Sequence, residues 1–270
     1  MPIRFIAILT AGLGLAGAGW AEVPKVATDI TPVHSLVARV MQGVGSPSLI
    51  VAPGATPHGY SMRPSEAAAL DSADIVIWIG PELTPWLGDA IGTLAGNAHS
   101  LALLEAPGTR TLDFRQGATF AAHDDHGHGH AGTDPHAWLD PANARTWLSL
   151  IAGELSEHDP ANAARYEANA EAARDEIDAL EADITRQLDT VADMPFLVFH
   201  DAYQYFETRF DVPAAGAISL SDATDPSAAR IAELRDLVEA RDIACVFAEP
   251  QFDPKLVETV FGGVARHGVV

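Results

Sequence analysis

The middle of the chain carries a long, unbroken helical pattern. Asp159-Pro160 is a helix-start signal, and neither proline nor glycine follows until past Ala192. Apolar residues recur there in steps of three or four: Tyr166, Ala170, Ala173, Ile177, Leu180, Ile184 and Leu188. The spacing predicts one helix of about 30 residues, roughly 45 Å long. Such a helix can brace two lobes, or it can lie as a solvated surface helix on a single domain.

Short apolar segments alternate with helical segments on both sides of this helix. Strands are predicted at 26–30, 49–52, 75–79, 100–104, 196–199 and 243–248. Helices are predicted at 33–41, 66–70, 86–94, 227–240 and 255–262, with a further helix starting at Pro141. Continuously apolar strands separated by helices indicate parallel sheets that are covered on both faces.

We therefore predict the α/β fold class, with two parallel-sheet lobes bridged by one long, rigid helix. The N-terminal lobe is expected at 22–157, the linking helix within 158–193 and the C-terminal lobe at 194–270. Residues 268–270 look like the start of a further strand, so the natural protein is expected to continue beyond Val270.

Residues 1–21 have the pattern of a cleaved secretory signal peptide. Arg4 gives the positive start, residues 5–16 form the apolar run, and Gly19 and Ala21 are the small residues before a cleavage site. The apolar run is too short for a bilayer-spanning helix, which needs about 20 residues. We predict cleavage after Ala21 and export of the mature chain.

The charge balance argues against a nucleic-acid partner. The chain has 16 basic residues against 37 acidic ones, a formal net charge of −21. A field of that sign repels phosphate backbones.

A histidine-rich segment lies within 118–135. Among the 11 histidines, the four found here are His123, His126, His128 and His130, interleaved with aspartate and glycine. Imidazoles and carboxylates on a glycine-rich segment bind metals such as Zn(II) or Ni(II). Because ordering a mobile loop costs entropy, we expect a secondary metal site that is weak or variable.

Three further histidines are placed where strands and loops meet. His58 follows the second predicted strand, His136 precedes the helix that starts at Pro141, and His200 closes the strand at 196–199. Ligands of open parallel sheets bind outside the carboxyl ends of strands. From the residues alone, a joint metal site and three separate structural roles remain open.

Four blocks around the histidine-rich segment resemble the periplasmic zinc-binding proteins of ABC importers, the cluster A-I or ZnuA-type solute-binding family. These blocks are Pro57-His58-Gly59-Tyr60-Ser61-Met62-Arg63-Pro64-Ser65, Asp134-Pro135-His136-Ala137-Trp138-Leu139, Phe199-His200-Asp201-Ala202-Tyr203-Gln204-Tyr205-Phe206 and Ala248-Glu249-Pro250-Gln251-Phe252. The resemblance runs from about Lys25 to the end of the chain. It implies two α/β lobes with one metal held in the cleft between them.

The resemblance also implies a ligand set. His58, His136 and His200 would be the metal ligands, and three imidazoles suit Zn²⁺, whereas manganese members replace one histidine with a carboxylate. The fourth ligand stays open among water, a loop histidine and a carboxylate outside this chain. Glu249 is a weaker candidate for that position, or a carboxylate that supports the ligands and closes the lobes.

The function implied is capture rather than catalysis. The chain would bind zinc with high affinity in the periplasm, as a monomer, and deliver it to an ABC transporter permease. The alternatives are a manganese or nickel binding protein of the same family, a periplasmic zinc buffer or chaperone, and a zinc hydrolase, which the absence of a His-Glu-x-x-His helix disfavours.

Cys245 and four further histidines lie outside the proposed ligand set. In zinc-binding relatives, the cysteine equivalent to Cys245 often pairs with one near the C-terminus, so the resemblance implies a disulfide partner outside this chain. His34 is predicted to be structural, and His99, His158 and His267 are predicted to be solvated.

Overall fold

The computed structural model describes residues 22–115, 120, 132–191, 194–219, 226–243, 245–249, 252 and 255–261. Four predictions lie outside the described residues: the signal peptide at 1–21, the loop histidines His123, His126, His128 and His130, His267, and the strand start at 268–270.

The first unit of the chain is built on a four-stranded parallel sheet. Its strands are β1 (Val26–Thr28), β2 (Ser48–Leu49), β3 (Ile75–Trp78) and β4 (His99–Ala102), in the order β2-β1-β3-β4. The helices of this unit are α1 (Thr31–Val40), α2 (Pro64–Asp71), α3 (Pro85–Leu94) and α4 (Pro141–His158). We call residues 22–158 the N-terminal unit.

The central strand β3 explains why this sheet is covered on both faces. All four of its residues are buried. Ile75 and Ile77 join one hydrophobic cluster, whereas Val76 and Trp78 join another, because successive strand side chains point to opposite faces. The predicted α/β class is confirmed.

The second unit has a three-stranded parallel sheet. Its strands are β5 (Phe196–His200), β6 (Gly216–Ser219) and β7 (Cys245–Phe247), in the order β6-β5-β7. Its helices are α6 (Gln204–Phe210), α7 (Ala228–Arg241) and α8 (Lys255–Phe261). We call residues 194–261 the C-terminal unit.

Two elements of the C-terminal unit were not predicted. Helix α6 has 7 residues, too few to show a clear helical period. Strand β6 has the sequence GAIS, in which small residues outnumber branched ones. Its burial against Val198 of β5, rather than its own strand propensity, makes it a strand.

The long helix α5 (Ala163–Leu188) has 26 residues and starts later than predicted. Asp159 caps the end of α4, and its side chain accepts hydrogen bonds from Asn162 Nδ2 (2.7 Å) and Tyr166 Oη (2.9 Å). The Asp159-Pro160 pair therefore belongs to the turn between two helices.

Helix α5 contacts both units. It packs on α1 and α4 through Tyr166, Ala170 and Ala173, all of which are buried. Further along, Glu181 accepts a hydrogen bond from Arg145 of α4 and ion-pairs with Arg209 of α6 (2.5 Å). Leu180 is 49% exposed, whereas Ile177, Ile184 and Leu188 are half-buried, so the apolar stripe is fully buried only along its first half.

Among the described residues, none of the helices combines the length and the hydropathy that a membrane crossing requires.

A buried carboxylate joins the ends of two strands in the N-terminal unit. Asp29 follows β1 and accepts hydrogen bonds from the backbone N–H groups of Ile30 (2.7 Å) and Ile79 (2.8 Å). Burial raises the pKa of Asp29 from its ordinary value of 3.8 to about 7, although the backbone hydrogen bonds act in the opposite direction.

This shift predicts a pH-dependent stability. Because the folded pKa of Asp29 is raised, the folded chain binds a proton more tightly than the unfolded chain between pH values of about 4 and about 7. The contribution of Asp29 to stability is therefore complete at low pH and is lost as the pH rises through about 7. Urea unfolding with a metal chelator present should show the stability of the wild type, relative to Asp29→Asn, falling by up to about 4 kcal/mol across that window. A difference that does not vary with pH would contradict this.

Candidate metal centre

The structure brings His58, His136 and His200 together. One ring nitrogen from each lies within 4.8 Å of the others. The ring centroids are 4.9 Å apart for His136 and His200, 5.7 Å for His58 and His136, and 6.0 Å for His58 and His200. Nitrogens that share one tetrahedral zinc lie roughly 3.4 Å apart, so a small closure of these side chains makes a three-imidazole site.

Each histidine is positioned by a different local structure. His58 lies in the connection between β2 and α2, and His136 lies just before α4. His200 is the last residue of β5, the central strand of the second sheet. His136 and His200 are buried, and His58 is half-buried. The group is therefore shared between the N-terminal and C-terminal units.

Asp134 orients the ring of His136. Its Oδ1 lies 2.7 Å from His136 Nδ1 and also accepts the backbone N–H of His136 at 3.0 Å. With the ring proton on Nδ1 and shared with this buried carboxylate, Nε2 keeps the lone pair that a metal requires. Asp134 lies in a sequence block that the resemblance singled out, but its role becomes visible only in the structure.

Glu249 lies behind His200. Its Oε1 is 3.6 Å from His200 Nδ1, and its carboxylate is hydrogen-bonded to the hydroxyl of Tyr203. Burial and this carboxylate both raise the pKa of Tyr203. Glu249 Oε2 is buried and has no hydrogen-bond partner in the part of the chain that the structure describes. The side chain is thus placed either to support His200 or to offer an oxygen ligand.

Tyr205 links the two units beside the centre. Its buried hydroxyl accepts a hydrogen bond from the backbone N–H of Leu112 (2.9 Å) and donates one to the carbonyl oxygen of Asp134 (2.7 Å). Tyr205 belongs to α6 in the C-terminal unit, whereas Leu112 and Asp134 belong to the N-terminal unit. It therefore holds the strand-like stretch that carries Asp134.

A half-buried arginine makes a second link. Arg115 donates to Glu207 (Nη1–Oε2, 2.6 Å) and, through Nε and Nη2, to Asp201, the residue after His200. Burial raises the pKa of Asp201, and the facing Arg115 opposes that rise. The Phe120 ring packs on the guanidinium at 3.7 Å. Sequence reasoning missed Arg115 because an isolated arginine gives no signal of a partner 86 positions away.

The flanks of the His123–His130 stretch, 112–114 and 132–134, are paired with each other. Asp113 and Thr133 form an antiparallel bridge, and the N–H groups of Phe114 and Asp134 donate to the carbonyls of Gly132 (3.2 Å) and Leu112 (2.8 Å). The chain therefore returns from the histidine-rich segment at Gly132, which is two residues before Asp134 and four before His136.

The chain matches known zinc-uptake proteins over most of its length. Residues 26–269 match the family described as "Zinc-uptake complex component A periplasmic". The chain is 44% identical to the high-affinity zinc uptake system protein ZnuA of Paracoccus denitrificans, over 95% of this chain and 85% of that protein. It is 42% identical to the protein of the same name from Brucella abortus, over 96% and 85%.

A solved structure has a similar fold. The crystal structure of a ZnuA deletion mutant with zinc bound superposes with a TM-score of 0.73 at 26% identity, covering 91% of this chain and 88% of that one.

The Arg115 cluster predicts a large loss of stability on substitution. Arg115→Met leaves Asp201 and Glu207 buried without their cation, which should lower the free energy of unfolding by about 3–5 kcal/mol in urea titrations. Arg186→Met is the matched control, because Arg186 is 70% exposed in a surface pair with Asp183 and should cost less than about 1 kcal/mol. Equal losses in the two variants would contradict the structural role of Arg115.

Proposed function

The chain belongs to the family of periplasmic zinc-uptake components, and on that premise we propose that it captures zinc in the periplasm and delivers it to the permease of an ABC transporter. His58, His136 and His200 are the proposed zinc ligands. The proposal depends above all on one observation, the placement of three imidazole nitrogens within 4.8 Å of one another.

The chemistry of this donor set favours zinc. Neutral imidazoles bind Zn²⁺ well, whereas Mn²⁺ prefers carboxylate, carbonyl and water oxygens. A tetrahedral zinc with three histidines keeps a fourth position, which water, Glu249 or a histidine of the 123–130 stretch can fill. The carboxylate of Asp134 supports the set by fixing the tautomer of His136.

The division of the ligands between two units suits a protein that must also release the zinc it has bound. His58 and His136 come from the N-terminal unit and His200 from the C-terminal unit, so zinc holds the two units together. A movement of one unit relative to the other lengthens the metal–ligand distances and weakens binding. Docking on the permease is the proposed cause of that movement.

A metal titration distinguishes this site from the histidine-rich segment. We expect a chain that lacks 122–130 to keep one tightly bound zinc in competition with a strong chelator. In the same background, the His200→Ala variant should lose this tightly bound zinc, because only two of the three imidazoles remain. His34→Ala is a control, since His34 lies on α1 outside the three-histidine group.

Loss of the tightly bound zinc on deletion of 122–130 would contradict this expectation. If deletion of 122–130 alone removes all tight binding, the three histidines are not the capture site, and the zinc buffer interpretation replaces the one proposed.

Delivery to a permease is tested in cells. A strain that lacks its own zinc-uptake binding protein should regain growth under chelation when this chain is produced with its transporter. Cells that produce the Asp134→Asn variant should need correspondingly more zinc for growth. Loss of a carboxylate that orients a metal-bound imidazole weakens the affinity for the metal about 10–100-fold. Asp113→Asn, on the paired flank, is the control. Growth that is equally good with His136→Ala would contradict capture and delivery by this site.

A further inference from the structure

A second group of metal-binding side chains lies outside the three-histidine centre. His99 belongs to β4, an edge strand of the first sheet, and Glu154 and His158 lie one turn apart near the end of α4. One ligand atom from each lies within 4.8 Å of the others. Although the sequence predicts solvated roles for both histidines, and both are exposed, the fold places them around one carboxylate.

The carboxylate is held close to both rings. Glu154 Oε1 is 2.5 Å from His99 Nδ1 and 3.3 Å from His158 Nδ1, and the two ring centroids are 5.6 Å apart. Despite these short distances, Glu154 Oε1 is buried and makes no hydrogen bond of acceptable geometry with the described residues. A buried carboxylate oxygen without such a bond is costly unless a cation compensates it.

The second ring is already oriented. His158 Nδ1 lies 3.0 Å from the backbone carbonyl oxygen of Glu154. Nδ1 is also the nitrogen that faces the carboxylate, 3.3 Å from Oε1, so the backbone carbonyl and the carboxylate together hold this ring beside His99. The same side chain lies in the last turn of α4, where the unpaired carbonyls of the helix end favour a positive charge.

We propose that His99, Glu154 and His158 form a second zinc site on the surface of the N-terminal unit. Two imidazoles and one carboxylate are a donor set that Zn²⁺ accepts, with water completing the coordination. Because both histidines are exposed and must be ordered on binding, the site is weaker than the three-histidine centre. A bound ion would join the edge strand β4 to the C-terminal turn of α4. This inference does not depend on the proposed function.

Zinc stoichiometry of the full chain tests the proposal. At micromolar free zinc in equilibrium dialysis, the His99→Gln/His158→Gln double variant should bind one zinc fewer than the wild type. The histidine-rich segment is present in both chains, so its contribution cancels. Glu154→Gln should also lose one equivalent, whereas tight binding against a strong chelator should stay unchanged in both variants. Far-ultraviolet circular dichroism checks that the variants are folded.

Two outcomes would overturn the site. Equal stoichiometry in wild type and double variant would show that the cluster is an ion-paired surface contact without a metal. A loss that appears in the double variant but not in Glu154→Gln would show that the carboxylate is not a ligand. The same comparison in a His200→Ala background separates this proposal from capture at the three-histidine centre, because the one-equivalent difference should persist there.

Discussion

The contact between Arg115 and two buried carboxylates is the interaction on which the three-histidine group depends most. Asp201 follows His200 directly, and Glu207 lies in the helix after it. Two carboxylates removed from water need a cation and several hydrogen bonds to remain there. Arg115 supplies both from the N-terminal unit, so the strand end that carries His200 is held in register with the loop that carries His136. Tyr205 adds two neutral hydrogen bonds to the same junction.

The junction between the units combines polar links with apolar packing. Arg115 and Tyr205 bond across it, and Arg209 of the C-terminal unit pairs with Asp140 of the N-terminal unit. The ring of Tyr205 packs in a hydrophobic cluster of the N-terminal unit, while the second sheet keeps a cluster of its own. Polar contacts depend on direction, so a displacement of about one ångström weakens them, whereas apolar packing inside each unit is unaffected.

Much of this architecture was predictable because the information is local. Buried parallel strands such as β3 are continuous apolar runs, and His58, His136 and His200 stand at the ends of predicted segments. What the sequence did not reveal depends on contacts between distant positions. Arg115 has no local pattern, β6 is a strand through burial, and His99 meets His158 only because β4 and α4 are neighbours. The predicted start of α5 was too early because Asp159-Pro160, a pair that commonly starts a helix, here forms the turn between α4 and α5.

The paired flanks of the histidine-rich segment have a consequence for how this part of the chain can change. Hydrogen bonds between 112–114 and 132–134 hold the two ends of the segment together, with Asp134 in the last of these bonds and His136 two residues beyond it. When the ends of a loop are already held, doubling its length costs only about 0.6 kcal/mol. Insertions, deletions and changes in the number of histidines between these flanks should therefore leave the three-imidazole geometry intact. Evolution can therefore change the length and the histidine content of this segment independently of the arrangement of the three imidazoles.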